Sequence, residues 1–268
     1  MMEHRFASPR EDRLTAMTPL KSLLLCTAIT FAAPAQAVDS NLYLITLAGQ
    51  SNMSGEGDLN DLPLGFPKNA PRIWNFNNAY KWELAKEPVH SNSGVGPALA
   101  MADAFASQYP VVKVGLIPCA KDSSSIEQWQ RDLSHSSLYG SCLYRQKLAE
   151  QHGKVRALVF WQGGEDGKNQ EAAENWGKNF KKMVKAWRRD IGDPNLPVIM
   201  LVLKPGTKKT LRRCPYRDIV REQQLSVKMR NLTKIETSGY EYYGDDIHLT
   251  TAGQLALGPV IEKALATP

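Results

Sequence analysis

Long apolar runs, internal repeats and metal-ligand spacings are scarce in this sequence, and each absence excludes a class of protein. Beyond residue 37, no apolar run reaches the roughly 20 residues that a membrane-spanning helix requires. Neither a C-x-x-C nor an H-x-x-x-H spacing is present, so a zinc site is not expected. No repeat and no second domain is recognisable. Hydrophobic residues nevertheless make up 43% of the 268 residues, which excludes a disordered or collagen-like chain.

The excess of positive charge is small. The chain has 33 Lys and Arg residues against 27 Asp and Glu residues, a formal net charge of +6. Because this excess is spread along the chain rather than concentrated in one stripe, it favours general solubility over a nucleic-acid partner. A nucleic-acid-binding protein is an alternative that only the charge supports, and the absence of a gel shift at low salt would remove it.

A secretory signal is predicted at the amino terminus. An apolar run over residues 23–33 is followed by Ala35-Gln36-Ala37, the small-x-small pattern of a signal peptidase site. Residues 1–37 are therefore interpreted as a signal peptide, with residues 1–16 either an upstream mis-start or part of an unusually long leader. Residues 38–268 are expected to form a single domain, secreted or periplasmic in a bacterium, with no membrane attachment after cleavage.

Three cysteines remain after the predicted signal, Cys119, Cys142 and Cys214. In an oxidising compartment two of them can pair while the third stays buried or free. We expect a bridge between Cys119 and Cys142, although the spacing of the cysteines does not determine which two pair.

Short apolar runs alternate with helical patterns along the mature chain. The predicted strands are 42–48, 111–118, 155–161 and 197–203, and the predicted helices are 97–106, 143–151, 170–190, 216–228 and 252–265. Short runs that are apolar on both faces are typical of buried parallel strands. The alternation predicts an α/β fold, a flavodoxin-like three-layer α/β/α sandwich with a central parallel sheet. Function is expected in loops at the carboxyl ends of the strands, including a long active-site loop over residues 55–90.

Two loop segments together suggest nucleophilic catalysis. The segment from Gly49 to Gly55 follows the first predicted strand and carries Ser51, where a serine at a strand-to-helix turn can be presented to a substrate. Alone, it could equally be a polar turn whose serine caps a helix. A second segment supplies His248 with aspartates two and three residues before it. A serine hydroxyl needs an imidazole to accept its proton, and the imidazole needs a carboxylate to set its tautomer, so the pair of segments favours a catalytic triad.

An acyl-transfer site also needs hydrogen-bond donors for the oxyanion. The segment Ser93-Gly94-Val95-Gly96-Pro97 offers backbone N–H groups of glycines before a helix start. The segment Trp161-Gln162-Gly163-Gly164 places a neutral side-chain amide after a predicted strand. Each segment alone could be no more than a helix N-terminus or a glycine-rich turn.

In this order, G-Q-S-N-M at 49–53, G-V-G-P at 94–97, Gln162-Gly163 and Asp245-x-x-His248 resemble the SGNH hydrolase superfamily. The similarity is strongest to its sialate O-acetylesterase-like branch and to carbohydrate esterase family six, which is acetylxylan esterase-like, and it covers nearly all of the mature chain. The resemblance implies a serine esterase that removes O-acetyl groups from carbohydrate such as acetylated xylan. It implies no metal and no organic cofactor.

The resemblance also implies roles, position by position. Ser51 would be the nucleophile, His248 the general base and Asp245 the residue that orients it. The oxyanion hole would consist of the Ser51 N–H, the Gly96 N–H and the Gln162 side chain, with Gly94 as the alternative to Gly96. Substrate contacts would come from Gln50, Asn52, Gly94 and Ser125.

Two departures from the family pattern concern substrate preference rather than the triad. The usual Q-G-E is Gln162-Gly163-Gly164 in this chain, so a glutamate is missing or displaced to Glu165. The usual G-G-T-S-I is replaced by D-S-S-S-I at 122–126, which adds a charge beside the expected acyl pocket.

Other functions stay open at this point. A sialate O-acetylesterase and a general short-chain esterase are alternatives within the same chemistry, whereas the scarcity of long apolar loop segments argues against lipid esters. A glycan-binding module that keeps the fold would bind acetylated oligosaccharide and release no acetate. The sequence does not determine the oligomeric state.

Overall fold

The structure is a computed structural model that describes residues 41–91 and 93–265. Its centre is a single sheet of seven strands. The strands are β1 (Leu42–Gly49), β2 (Ile73–Phe76), β3 (Trp82–Leu84), β4 (Val114–Pro118), β5 (Gly153–Trp161), β6 (Val198–Val202) and β7 (Leu232–Glu236). Their order across the sheet is β3-β2-β4-β1-β5-β6-β7, and every neighbouring pair is parallel except β2 with β3.

Helices cover both faces of this sheet. They are α1 (Ser51–Ser54), α2 (Pro97–Gln108), α3 (Leu138–Ala149), α4 (Gln170–Asp190), α5 (Lys208–Arg213), α6 (Arg217–Ser226) and α7 (Thr251–Glu262). One apolar core lies between the sheet and α3, α4 and α6, and the other lies between the sheet and α2 and α7. The predicted α/β/α sandwich with a mostly parallel central sheet is confirmed.

Strand β1 shows how the sequence fills both cores. Leu42 and Leu44 pack into the core on the α3 side, whereas Tyr43 and Ile45 pack into the core on the α2 side. All four residues are buried because successive side chains of a strand point to opposite faces. Burial of each large apolar side chain contributes about 1.5–3 kcal/mol, so a strand with two buried faces must be apolar throughout.

Helix α4 has the bounds that its sequence predicted. The Asn169 side chain accepts a hydrogen bond from the Ala172 N–H at 3.0 Å and begins the helix. Trp176, Phe180 and Trp187 then recur on one face and are fully buried against the sheet, while the opposite face is rich in lysine.

The segment 55–90 is not the long loop that the sequence suggested. It contains β2 and β3, which form an antiparallel pair at one edge of the sheet. These strands have four and three residues, and β3 is partly exposed, so their hydrophobic pattern is too short to recognise. The other edge strand, β7, was missed because it alternates polar and apolar residues.

The predicted disulfide is confirmed, since Cys119 and Cys142 are bonded and Cys214 is free and buried. The bond ties the end of β4 to helix α3. The predicted signal peptide lies outside the described residues. Among the helices of 41–91 and 93–265, none combines the length and apolar character needed to cross a membrane.

Candidate active site

The candidate site begins where β1 ends, at the centre of the sheet. Gly49 has φ +132, and a Cβ atom there would lie 2.1 Å from the carbonyl oxygen of Trp161 on the neighbouring strand β5. Only glycine fits this position. The Gln50 N–H donates to the same carbonyl at 2.7 Å, and Ser51 then starts the single turn of α1. The tight turn therefore presents the Ser51 side chain at the carboxyl edge of the sheet.

Three side chains that are distant in sequence meet at this edge. The Ser51 Oγ lies 2.9 Å from the Nε2 of His248, and the Nδ1 of the same imidazole lies 2.6 Å from Asp245 Oδ2. All three residues are partly buried, and Ser51 and His248 line a cavity. This is the hydroxyl–imidazole–carboxylate arrangement in which a base can remove the proton of a serine.

Asp245 is held in place by the backbone of its own loop. Its Oδ1 accepts hydrogen bonds from the N–H groups of Ile247 and His248, at 2.8 and 3.0 Å. Partial burial acts to raise the pKa of Asp245, but these bonds and the His248 imidazole outweigh it and lower the pKa. The carboxylate is therefore ionised and fixed opposite the ring.

The neighbouring Asp246 points elsewhere. Its carboxylate lies 3.0 Å from the Lys204 Nζ and accepts a hydrogen bond from the Thr207 hydroxyl, contacts that lower its pKa. Of the two aspartates before His248, only Asp245 contacts the imidazole.

Asn52 connects the nucleophile turn to the histidine loop. Its Nδ2 donates to the Ile247 carbonyl at 2.8 Å, and its Oδ1 accepts from the Leu249 N–H at 3.0 Å. The resemblance assigned Asn52 to substrate binding, and Asn52 does line the cavity in front of Ser51 while its amide also bonds to these two backbone groups. Because they flank His248, the contacts of Asn52 position the imidazole relative to Ser51.

A cavity of about 120 Å³ lies in front of Ser51. Its lining includes Gln50, Ser51, Ser123, Gly164, Arg217 and His248. The Gln50 Oε1 accepts from the N–H groups of Gly163 and Gly164, at 2.8 and 2.9 Å, which fixes its amide at the wall. Within the described residues, no group of three or more His, Cys, Asp or Glu side chains is arranged to hold a metal ion.

The segment 93–97 lies outside this cavity, contrary to the expectation for Gly94 and Gly96. The Gly94 N–H donates to the Gly55 carbonyl at 2.8 Å and is therefore occupied beside the nucleophile turn. Gly96 is likewise absent from the residues that line the cavity. The segment packs against the residues that follow the Ser51 turn, where Val95 pairs with Gly57.

Gln162 and Ser125 are also absent from the lining of the cavity. Gln162 is 1% exposed, and its Nε2 donates to the Ser124 carbonyl and to the Asp166 carboxylate. Its Oε1 accepts from the Trp176 indole at 2.8 Å, so no amide proton faces a substrate. Ser125 instead contacts Gln128 outside the cavity.

Ser123 is the residue that the sequence reasoning overlooked. It lies in the loop after β4, which borders β1, and it lines the cavity with Ser51. Its φ is +55, in the left-handed region that favours glycine. The sequence did indicate this position. Residues 122–126 read D-S-S-S-I where the family usually has G-G-T-S-I, so Ser123 occupies the place of the second glycine.

Glu87, behind the nucleophile turn, predicts a pH-dependent stability. Burial raises the pKa of Glu87 to about 8, although hydrogen bonds from the backbone at Val89 and Gly96 oppose the rise. The native state therefore keeps a proton that the unfolded chain loses above pH ~4.5, so the free energy of unfolding falls as pH rises from ~4.5 to ~8. Glu87→Gln removes this loss and is expected to stabilise the protein by roughly 2–4 kcal/mol at pH 8 and by little at pH 5.

Thermal unfolding of wild type and Glu87→Gln at both pH values measures the effect. The matched control is Glu127→Gln, since Glu127 is exposed and should show no difference between the two pH values. Equal stability differences at pH 5 and pH 8 for the Glu87 variant would contradict the prediction.

Comparison with known proteins agrees with this geometry. The family model described as carbohydrate esterase, sialic acid-specific acetylesterase matches residues 40–267. A probable carbohydrate esterase from Arabidopsis thaliana is 31% identical over 244 residues, which cover 82% of this chain and 89% of the relative. The solved structure of an Arabidopsis thaliana protein superposes with a TM-score of 0.74 at 30% identity, covering 84% of this chain and 97% of the other.

More distant structures share the fold. NanS has a TM-score of 0.64 at 16% identity, with 85% of this chain and 97% of NanS covered. A carbohydrate acetylesterase from Xanthomonas citri has a TM-score of 0.61 at 17% identity, with 83% and 55% covered. The extent of the family match and the similarity to the plant relative are decisive. The chain belongs to the family of carbohydrate esterases described as sialic acid-specific acetylesterases, and it is a carboxylic ester hydrolase.

Proposed function

We propose that this protein removes O-acetyl groups from carbohydrate through an acyl-enzyme formed on Ser51. The observation that supports this mechanism is the continuous contact from the Ser51 Oγ to His248 and on to Asp245, at 2.9 and 2.6 Å. A general base within hydrogen-bonding reach of a nucleophile, and itself oriented by a carboxylate, is the arrangement that serine acyl transfer needs.

The reaction has two steps. In the first, Ser51 Oγ attacks the acetyl carbonyl carbon while the His248 Nε2 accepts the hydroxyl proton. The tetrahedral intermediate then expels the sugar oxygen, which takes that proton from the imidazolium and leaves as an alcohol. In the second step, water attacks the acetyl-Ser51 ester with the same base, and acetate and free Ser51 result. Asp245 stabilises the imidazolium in both steps.

The oxyanion hole that we propose differs from the one implied by the resemblance. The Ser51 N–H is the first of α1 and has no backbone acceptor among the described residues, and Ser123, in the loop after β4, lines the same cavity. The two proposed donors are the backbone N–H groups of these residues, which line the cavity, unlike Gly96 and Gln162. Each oxyanion donor contributes roughly 3–4 kcal/mol of transition-state stabilisation.

The proposed role of Ser123 can be tested because its backbone, not its hydroxyl, would be the donor. Ser123→Gly keeps the N–H and relieves the left-handed φ, so we expect kcat/KM within about threefold of wild type and a free energy of unfolding about 0.5–1 kcal/mol higher. Ser123→Ala is the matched control, because it removes the hydroxyl and retains the unfavourable φ. Loss of activity in both variants, measured with an aryl acetate, would assign the role to the hydroxyl instead.

The size and polarity of the cavity favour a short acyl group on a polar alcohol. Its volume of about 120 Å³ is smaller than the roughly 300–1,000 Å³ of pockets that enclose a whole ligand. An acetyl group fits such a space, whereas a long acyl chain does not. The candidate substrates are acetylated xylan, O-acetylated sialic acid and short-chain esters, and the description of the matched family supports an acetylated carbohydrate.

Acetate release tests this proposal directly. Purified protein is incubated with acetylated xylan, with O-acetylated sialic acid and with aryl esters of two to ten acyl carbons. We expect release of acetate from at least one carbohydrate and a steep fall of activity with acyl length. Binding of acetylated oligosaccharide with no acetate released would overturn the proposal and favour a non-catalytic glycan-binding protein.

A further inference from the structure

Arg217 is a buried cation without a partner. It is the first residue of α6 and only 2% exposed. Its Nε is buried and makes no hydrogen bond. Across residues 41–91 and 93–265, its guanidinium has neither a side-chain hydrogen bond nor an ion pair. Arginine remains protonated in proteins, so this guanidinium is a positive charge that the protein itself does not neutralise.

A second buried arginine, Arg188, shows which hydrogen-bond acceptors Arg217 lacks. Arg188 is 7% exposed, and its guanidinium donates to the carbonyl groups of Leu196, Arg230 and Asn231. Arg188 therefore has the acceptors that a buried charge requires. Because Arg217 is more deeply buried and has none, it resembles a binding group whose acceptor arrives with a ligand.

The position of Arg217 identifies which ligand site it serves. It lines the cavity in front of Ser51, together with His248. A Cβ atom added at Gly164 would lie 3.8 Å from the Arg217 Nη1, so a side chain at 164 would reach the guanidinium. The family resemblance places a glutamate at this position, and the glycine in this chain leaves the charge uncovered.

No other acidic group of the cavity compensates for Arg217. Glu165 is paired with Lys168 at 2.7 Å, and both line the cavity. Asp218, next to Arg217 in sequence, accepts instead from the Gly206 N–H at 2.7 Å. Arg213, a further lining residue, has no ion pair within the described part of the chain. The wall of the cavity on the α6 side therefore carries excess positive charge.

An acetyl ester and sugar hydroxyls can offer neutral acceptors, as carbonyl groups do for Arg188, but only an anion also neutralises the charge. A guanidinium presents two parallel N–H groups that match the two oxygens of a carboxylate. Building on the proposed esterase function, we propose that Arg217 binds the carboxylate of an acidic sugar that carries the acetyl ester. The description of the matched family already names a sialic acid, so the new assignment is Arg217 as the residue that selects an acidic sugar, uronic or sialic, over neutral acetylated xylan.

Pairs of substrates that differ only in a free or a methyl-esterified carboxylate measure how much the carboxylate contributes to kcat/KM. We compare kcat/KM for O-acetylated galacturonate oligosaccharides with that for their methyl esters, and for O-acetylated sialic acid with that for its methyl ester. The wild type is expected to prefer one free acid over its methyl ester by roughly 10- to 100-fold, and the pair with the larger ratio identifies the sugar. Arg217→Gln is expected to reduce that ratio to near one. A wild-type ratio near one for both pairs overturns the inference.

Substitutions at Gly164 test the same idea with Arg217 intact. Gly164 does not have a positive φ, and its Cβ would make only ordinary contacts, so a side chain is tolerated. Gly164→Glu places a carboxylate beside the guanidinium, and we expect the preference for the free acid to disappear. Gly164→Gln fills the same space without charge and should retain the preference. Equal ratios in the two variants would contradict the inference, even if Arg217→Gln fails to fold.

Binding measurements separate this inference from the proposed catalytic mechanism. In Ser51→Ala protein, calorimetry should show that the deacetylated acid binds at least about tenfold more tightly than its methyl ester, because the carboxylate contact does not need the nucleophile. If Ser51→Ala hydrolyses an aryl acetate as fast as wild type, the mechanism on Ser51 is wrong, whatever the binding ratio. If the mechanism holds and both sugars bind equally, Arg217 has only a structural role.

Discussion

Replacing Ser51 with alanine is expected to reduce kcat for acetate release by about 10⁵-fold, with the fold unchanged. The Ser51 Oγ lies 2.9 Å from the His248 Nε2 and lines the cavity, so it is the hydroxyl that this base can deprotonate. Release of 4-nitrophenol from its acetate, measured with enough enzyme to detect residual activity, gives the ratio of rates.

Ser125→Ala is the matched control for this experiment. Ser125 was expected to contact substrate, but it lies against Gln128 outside the cavity, so its removal should change kcat/KM by less than about threefold. Trapping of acetylated protein by rapid acid quench, followed by peptide mass analysis, should find the acetyl group on Ser51. Equal activity of wild type and Ser51→Ala would reject Ser51 as the nucleophile.

Replacing Asp245 with asparagine is expected to reduce kcat by roughly 10³–10⁴-fold. The carboxylate accepts a hydrogen bond from the His248 Nδ1 at 2.6 Å and leaves Nε2 free to accept the Ser51 proton. An amide nitrogen at this place would instead favour the opposite tautomer and would not stabilise the imidazolium. The same substitution should leave the free energy of unfolding within about 1–2 kcal/mol, because Asn can still accept from the loop N–H groups.

Asp246→Asn is a matched control on the adjacent residue. Asp246 pairs with Lys204 and has no contact with the imidazole, so its effect on kcat should stay within about threefold. Steady-state kinetics on the two variants side by side makes the comparison. A larger loss in Asp246→Asn than in Asp245→Asn would reassign the acid of the site.

The sequence predicted those parts of the fold and of the site that depend on residues close together in the chain. β1 and β5 were recognisable because strands buried on both faces must be apolar, and α4 because its apolar residues recur at helical spacing. The Ser51 turn and the Asp245–His248 pair were recognisable because each is a short string with its own chemistry.

The proposed oxyanion donor in the loop after β4 could not be predicted in the same way. The segment 93–97 was suggested by glycines whose N–H groups are sterically accessible before a helix start. Hydrogen bonding across the sheet instead places β4 next to β1, so the loop that carries Ser123 shares the cavity with the nucleophile. Strand order depends on pairing between residues far apart in sequence, and no local pattern encodes it.

The roles of side-chain amides could not be predicted from local sequence either. Gln162 was a reasonable oxyanion donor by type and position, yet Ser124, Asp166 and Trp176 occupy its amide. Asn52 was a predicted substrate contact and it lines the cavity, but it also binds the backbone around His248. An amide can satisfy a protein group or a ligand equally well, so its neighbours in space decide its role.

By itself, the sequence determined the sandwich of helices around a parallel sheet, the family and the three residues proposed for acyl transfer. Those follow from burial patterns and from short motifs whose atoms are close in the chain. Only the tertiary structure decided which loop shares the cavity with Ser51, which polar side chains remain available, and that Arg217 is buried beside the cavity without a counter-ion in the described part of the chain. These properties depend on contacts between distant segments, which exist only after the strands have paired and the helices have packed.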